Sequence, residues 1–244
     1  MTIGSGIDGR PCTVIVLAAG EGKRMRSALP KVLHPLLGRS MVGHVLAAVA
    51  AGLPGDPTAG APRTVVVVGK GADQVRGHLA EVAPAAQTVL QAEQRGTGHA
   101  VRVAVDSLGE VEGTVVVLNG DIPLLRATTL RDLVAGHEAA GAAATVLTAE
   151  VPDPTGLGRI IRAADGRFTS IVEERDATER QRTLREINAG AYVFAAAELR
   201  KCLAKLSSDN SQGEEYLTEV LSMLVDAGQP VVAIVDAEPR TLRE

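Results

Sequence analysis

Four stretches of this chain are apolar at every position rather than at every second one. Thr13–Ala19, Thr64–Val68, Gly113–Leu118 and Ala143–Glu150 are built from Val, Ile, Leu, Ala and Thr with almost no polar break. A strand that faces water on one side alternates, whereas a strand covered on both faces does not. The first three runs stop at glycine, or at glycine followed by an acid: Gly20, Gly69, and Asn119-Gly120-Asp121. Buried strands that end in glycine-bearing turns, with helical stretches between them, constrain the chain to a parallel α/β sheet with helices on both sides.

The helical stretches are expected over Ser40–Ala51, Ala72–Glu81, Gly98–Asp106 and Thr128–Ala140, the last capped by Thr128 or Thr129. Thr88–Leu90 reads as a further short strand. The second half has a different texture. Gly158–Ala163, Phe168–Glu173 and Ala189–Phe194 read as strands joined by turns such as Asp165-Gly166. Glu198–Leu206 and Tyr216–Ala227 read as helices, and Pro230–Val235 as a last strand. The expected architecture is a Rossmann-like α/β fold. Its central sheet is mostly parallel and flanked by helices, with a small mixed-sheet lobe over the carboxyl edge. At 244 residues the chain fits one such domain.

Composition removes several function classes. Cys12 and Cys202 are the two cysteines, too few for a disulfide framework or a four-cysteine zinc site. No apolar run reaches the length of a membrane span, and Met1–Pro11 lacks the basic and apolar regions of a signal peptide, so a cytoplasmic protein without a membrane role is expected. The formal net charge is −4, and the aromatic residues are limited to Phe168, Phe194, Tyr192 and Tyr216. Both features argue against a nucleic-acid partner, which asks for positive charge and stacking platforms.

Against that negative average, the segment from Glu21 to His44 holds five cations (Lys23, Arg24, Arg26, Lys31, Arg39) and one acid, Glu21, for a net charge of +4. It opens with Leu17-Ala18-Ala19-Gly20-Glu21-Gly22-Lys23-Arg24, directly after a buried strand. Glycine lets backbone N–H groups come close to an anion, and arginine offers a forked donor to phosphate. A di- or triphosphate would sit in such a place. The spacing is neither a Walker A loop nor a complete dinucleotide fingerprint. By itself it is also compatible with a turn carrying solvated charges.

Asp121 stands at the end of the third run, set there by Gly120 and followed by Pro123. It can be a Mg²⁺ ligand beside substrate phosphates, or a turn aspartate. In Gln91–Ala100, the Gln91 and Gln94 amides can match a base edge, and Gly96 and Gly98 permit close approach. His99 there reads as a hydrogen-bonding residue, and His34 and His44 lack metal-ligand spacing. Glu173, Glu174 and Asp176 form an acidic cluster, either solvated or ligand-facing, and Asn188 can present an amide to a ligand.

Together these segments resemble the sugar-nucleotide pyrophosphorylases. They are most similar to the uridyltransferase domain of the bacterial bifunctional N-acetylglucosamine-1-phosphate uridyltransferase / glucosamine-1-phosphate acetyltransferase family. The resemblance is carried in order by Leu17–His34, Gln91–Ala100, Asn119–Leu125, Asp153–Ile160, Ile171–Thr178, Glu186–Phe194 and Asn210–Glu219. It implies a nucleotide-diphospho-sugar transferase fold and a reaction of UTP with N-acetylglucosamine 1-phosphate, giving UDP-N-acetylglucosamine, a peptidoglycan precursor, and pyrophosphate. It implies that Leu17, Ala18, Ala19, Gly20 and Gly22 cradle the nucleotide, with Arg24 on the phosphates and Lys31 at the α-phosphate. Gln91, Gln94, Gly96 and Thr97 would hold uracil, and Asp121 would bind Mg²⁺. Gly158, Glu173 and Asn188 would hold the sugar, and Tyr216 and Thr218 would line its phosphate side.

The sequence departs from that family in three places. Lys23 stands where the family has Thr, and Leu157 where it has Tyr. The family's second metal ligand, an asparagine in a Gly-Val-Asn segment, does not occur before the last residue, Glu244. The expected organisation is a tail over 1–12, a nucleotidyltransferase domain over 13–236 and the start of a linker over 237–244. The family's β-helix acetyltransferase domain, through which it forms trimers, is not expected in this chain, so a monomer or a weak associate is expected.

Overall fold

A computed structural model describes residues 11–20, 22, 25–53 and 62–238. The chain opens with β1 (Cys12–Ala18), then a 3-10 turn over Lys31–Leu33 and a short hairpin of β2 (Pro35–Leu36) and β3 (Arg39–Ser40). Next come α1 (Met41–Gly52), β4 (Arg63–Val68), α2 (Ala72–Val82), β5 (Gln87–Leu90), α3 (Thr97–Leu108) and β6 (Thr114–Asn119). The second half runs α4 (Ala127–Ala139), β7 (Ala144–Glu150), β8 (Arg159–Arg162), β9 (Phe168–Val172) and α5 (Glu179–Arg182). It ends with β10 (Glu186–Ala195), α6 (Ala196–Leu203), α7 (Leu217–Asp226) and β11 (Val231–Val235).

The main sheet has the order β11-β7-β10-β6-β1-β4-β5. β1 lies parallel to β4 and β6, β4 parallel to β5, and β7 parallel to β11. Only β10 in this row runs the other way, antiparallel to both β6 and β7. The amino end of β10 therefore lies at the edge where its neighbours have their carboxyl ends: Asn188 is in register with Thr148 of β7. β8 pairs with β10 and β9 with β8, both antiparallel, and this pair is the mixed-sheet extension.

The apolar runs bury both faces as their lack of alternation requires. Val14 and Val16 of β1 pack with Val45, Val75 and Leu130 of α1, α2 and α4, while Ile15 packs with Val101, Leu203 and Leu221 of α3, α6 and α7. Val66 and Val116 follow the first set, and Val65 and Val115 the second. Each such side chain contributes about 1.5–3 kcal/mol by leaving water.

Three expectations are corrected. α4 has Arg126 at its N-cap with no side-chain cap, and Thr129 is inside the helix, where its hydroxyl accepts from Arg126 Nε at 3.2 Å. The guanidinium continues to Asp236 (3.0 Å) and Glu238 (2.8 Å), tying the start of α4 to the segment after β11. β10 begins at Glu186 rather than Ala189, which puts Asn188 inside the strand. The β2–β3 hairpin, two residues a side, stands where no strand was expected.

Candidate active site

Three chain segments meet at the carboxyl edge of β1, β6 and β5. The turn after β1 is held from two sides: Gly120 N–H donates to Leu17 O (2.8 Å), and Gln94 Nε2 donates to Ala19 O (2.7 Å). Gly22 has φ +58°, and a Cβ there would come within 2.7 Å of Lys31 Cβ. Only glycine lets the loop close onto the 3-10 turn that carries Lys31. Val32 anchors that turn in the core, so the mostly buried Lys31 side chain is delivered to the edge, where Nζ lies 2.9 Å from Asp121 Oδ2. A Cβ on Gly120 would come within 2.8 Å of Leu17 O, so glycine is what allows Asp121 to stand beside β1. Arg24 and Lys23 lie outside the described residues.

Gln91 is buried, and its Nε2 faces both Gly96 O and His99 Nδ1 at 3.0 Å. Its amide nitrogen thus shapes the loop, and His99 has the hydrogen-bonding role expected of it. Gly96 adopts φ +104° against the backbone of Glu215, and the Thr97 hydroxyl accepts from Leu217 N–H at 2.9 Å.

The expected sugar residues form a second cluster. Asn188 N–H donates to Gly158 O (2.9 Å), and a Cβ on Gly158 would stand 3.4 Å from Glu173 Oε2. The Asn188 side chain is fixed at both ends: Nδ2 donates to Tyr192 OH (2.6 Å), and Oδ1 accepts from Gly190 N–H (3.1 Å). Thr218 Oγ1 donates to Glu173 Oε1 at 3.3 Å. Tyr216 OH accepts from Gln212 Nε2 (2.5 Å) and points at Asp176 Oδ2 (3.5 Å). Of the acidic trio, Glu174 turns away to pair with Arg159 at 2.7 Å.

The MobA-like NTP transferase domain model matches residues 14–231. The chain belongs to that family. Among its relatives, the bifunctional protein GlmU of Streptomyces avermitilis is 56% identical over 235 residues, covering 96% of this chain and 47% of its own length. The protein of the same name from Thermobifida fusca is 55% identical over 230 residues, covering 93% of this chain and 46% of its own length. The chain thus spans about half the length of these relatives. A solved UDP-glucose pyrophosphorylase complexed with UDP-glucose superposes with a TM-score of 0.73 at 14% identity, covering 91% of this chain and 89% of that one. That likeness carries the fold alone.

For an NTP transferase domain the electrostatics are divided. The first cluster joins a cation and an acid, Lys31 and Asp121. The second is acidic: burial pushes the Glu173 carboxyl above its ordinary value, and the nearby Asp176 and Glu214 add to this against the Thr218 hydrogen bond. Burial likewise raises the Tyr192 phenol, so it stays protonated under the Asn188 amide. Among the described residues, no three His, Cys, Asp or Glu side chains gather as a metal cage. Sequence reasoning missed Tyr192, Arg159 and Glu215. Arg159 is 1% exposed and bonds the carbonyl of Leu157 as well as Glu174, bracing the turn before Gly158.

Proposed function

We propose that this domain transfers a uridylyl group from UTP to N-acetylglucosamine 1-phosphate, releasing pyrophosphate. The observation that carries this reading is the meeting of a Lys31–Asp121 pair, at the glycine turn after β1, with a sheet edge that also presents Gly158, Glu173 and Asn188. High identity to the GlmU proteins over nearly the whole chain supports it. The reaction needs no enzyme nucleophile. The sugar phosphate oxygen attacks the α-phosphorus in line with the departing pyrophosphate, and the protein supplies position and neutralising charge.

The residues divide by role. Leu17, Ala18, Ala19, Gly20 and Gly22 receive the nucleotide, with Arg24 on its phosphates. Gln94, Gly96 and Thr97, shaped by Gln91, hold the base. Lys31 neutralises charge at the α-phosphate. Gly158, Glu173 and Asn188 bind the sugar through donors and acceptors that are already oriented, and Tyr216 and Thr218 flank its phosphate. The domain is read as residues 13–236. No helix among the described residues is long and apolar enough to cross a membrane.

Magnesium fits this donor set. It needs one or two protein oxygens when waters and phosphate oxygens fill its other positions, and Asp121 offers a carboxylate beside the turn that would hold the phosphates. Bound there, the ion would screen phosphate charge. Asp121 would hold it, and Lys31 would turn from Asp121 to phosphate.

The test is pyrophosphate release from UTP and N-acetylglucosamine 1-phosphate, with and without Mg²⁺, repeated with glucose 1-phosphate. Release that requires the N-acetyl sugar and the ion is expected. UDP-sugar binding without release would overturn the catalytic reading.

A further inference from the structure

Glu215 stands just before α7 and closes onto the loop before α3 that carries Gln91, Gln94 and Gly96. Its carboxylate is 4% exposed and receives two guanidinium groups: Arg95 Nη2 on Oε1 at 3.0 Å and Arg102 Nη2 on Oε2 at 2.5 Å. Arg95 belongs to the loop before α3, and Arg102 is on α3 itself. The backbone repeats the tie, since Glu215 N–H donates to Arg95 O and Gly98 N–H donates to Glu215 O, both at 2.7 Å. The fit leaves no room for a side chain: a Cβ on Gly96 would come within 2.5 Å of Glu215 O. A buried carboxylate is costly to desolvate and holds only with its partners in place. Arg95, Arg102 and Glu215 therefore form a unit that fails if the loops shift.

The tie has different cargo at each end. On the base side it fixes Gly96 and Thr97, next to Gln94, which reaches Ala19 in the nucleotide turn. On the other side it fixes the entry to α7, whose first turn carries Thr218, bonded to Glu173. Thr97 Oγ itself accepts from Leu217 N–H, so a residue of the base loop caps the helix that serves the sugar side.

We propose that Glu215 is a positioning residue that holds the base loop and the sugar-phosphate loop in one register, so that a ligand spanning both is favoured over one occupying the base side alone. This rests on the uridylyltransfer reading above. The unit touches no substrate. Its effect is on the distance and angle between two half-sites, a quantity that in-line transfer makes critical.

The test compares two probes on the full chain by titration calorimetry: UDP, which occupies the base side, and UDP-N-acetylglucosamine, which spans both. In Glu215→Gln the affinity for UDP-N-acetylglucosamine should fall roughly tenfold more than that for UDP. Arg102→Ala, which removes one of the two guanidinium partners and leaves Arg95 on the carboxylate, should shift the same ratio in the same direction by a smaller factor, and it serves if the Glu215 variant does not fold. Equal weakening of both probes would show a merely structural ion pair and overturn the proposal. So would an unchanged ratio in both variants. If the unaltered chain binds UDP but not UDP-N-acetylglucosamine, or binds neither, the functional reading itself fails and the inference with it.

Discussion

Lys31 Nζ stands 2.9 Å from Asp121 Oδ2, so the cation proposed to meet phosphate and the acid proposed to hold a metal are paired with each other. On the proposed reading each is the other's placeholder, and substrate binding separates them. Lys31→Ala should lower kcat about 10²–10³-fold, with a smaller change in the KM for UTP, because the charge acts on the transition state. Asp121→Asn should instead move the Mg²⁺ concentration required for half-maximal pyrophosphate release. A Lys31→Ala enzyme with unchanged turnover at saturating substrates would remove that lysine from the chemistry.

Gly22 makes a sharper probe of the same contact. Its φ of +58° and the 2.7 Å approach of Lys31 Cβ mean that Gly22→Ala is strained and also pushes the lysine stem. The backbone strain costs about 1–2 kcal/mol. Stability should drop by about that amount in denaturant titration, while kcat/KM for UTP falls further than the stability loss explains. Equal kcat/KM in the two proteins would sever the link between the glycine turn and Lys31.

The half-buried acid of the second cluster predicts a trade between stability and binding. The folded-state pKa of Glu173 lies above its unfolded value, so unfolding releases the constraint on ionisation. Stability is highest below the unfolded pKa and declines as pH rises through the folded one. Glu173→Gln keeps an acceptor for Thr218 and should be the more stable protein at neutral pH, yet bind UDP-N-acetylglucosamine less tightly. Thermal melts from pH 4 to 8 on both proteins should diverge as pH rises; parallel curves would exclude a raised Glu173 pKa.

His137 gives the opposite sign. It is buried on α4 with Nδ1 3.0 Å from Thr145 Oγ1, and burial lowers its pKa to about 4. The unfolded chain takes up this proton near pH 6.5 and the folded one does not, so stability conferred by the neutral ring is lost as pH falls from 6.5 towards 4. The loss amounts to about 2 kcal/mol once residual solvent access is allowed for. His137→Gln should flatten that part of the pH–stability profile, and chemical denaturation at pH 7 and pH 4.5 measures it.

The buried strands were legible because a strand covered on both sides has no freedom to be polar, and β1, β4, β6 and β7 each fall within a residue or two of their expected limits. Asp121 was legible for a related reason: an acid just past such a run has only the sheet edge to occupy. β10 was read short because Glu186 and Asn188 are polar, and the charge that pairs with Glu186, Arg162, lies 24 residues earlier in the chain. Arg126 at the start of α4 was hidden likewise, since its acids come 110 and 112 residues later. Glu215 was invisible as a tie because Arg102 lies 113 residues away. Local pattern fixes which segments are strands; it carries no record of which distant charge closes a loop.

The reversed strand β10 also imposes an order of events on the chain. It is wedged between β6 and β7, which precede it in sequence and share no hydrogen bonds with each other. During synthesis, β1, β4, β5 and β6 can assemble as each appears, but β7 and the later β11 have no route to that sheet until residues 186–195 have emerged. Until then two hydrophobic strand edges stand open, the condition under which nascent chains are most exposed to wrong pairing. The strand that carries Asn188, proposed to bind the sugar, is thus also the late keystone of the sheet, and a lesion in β10 should surface first as poor yield of folded protein.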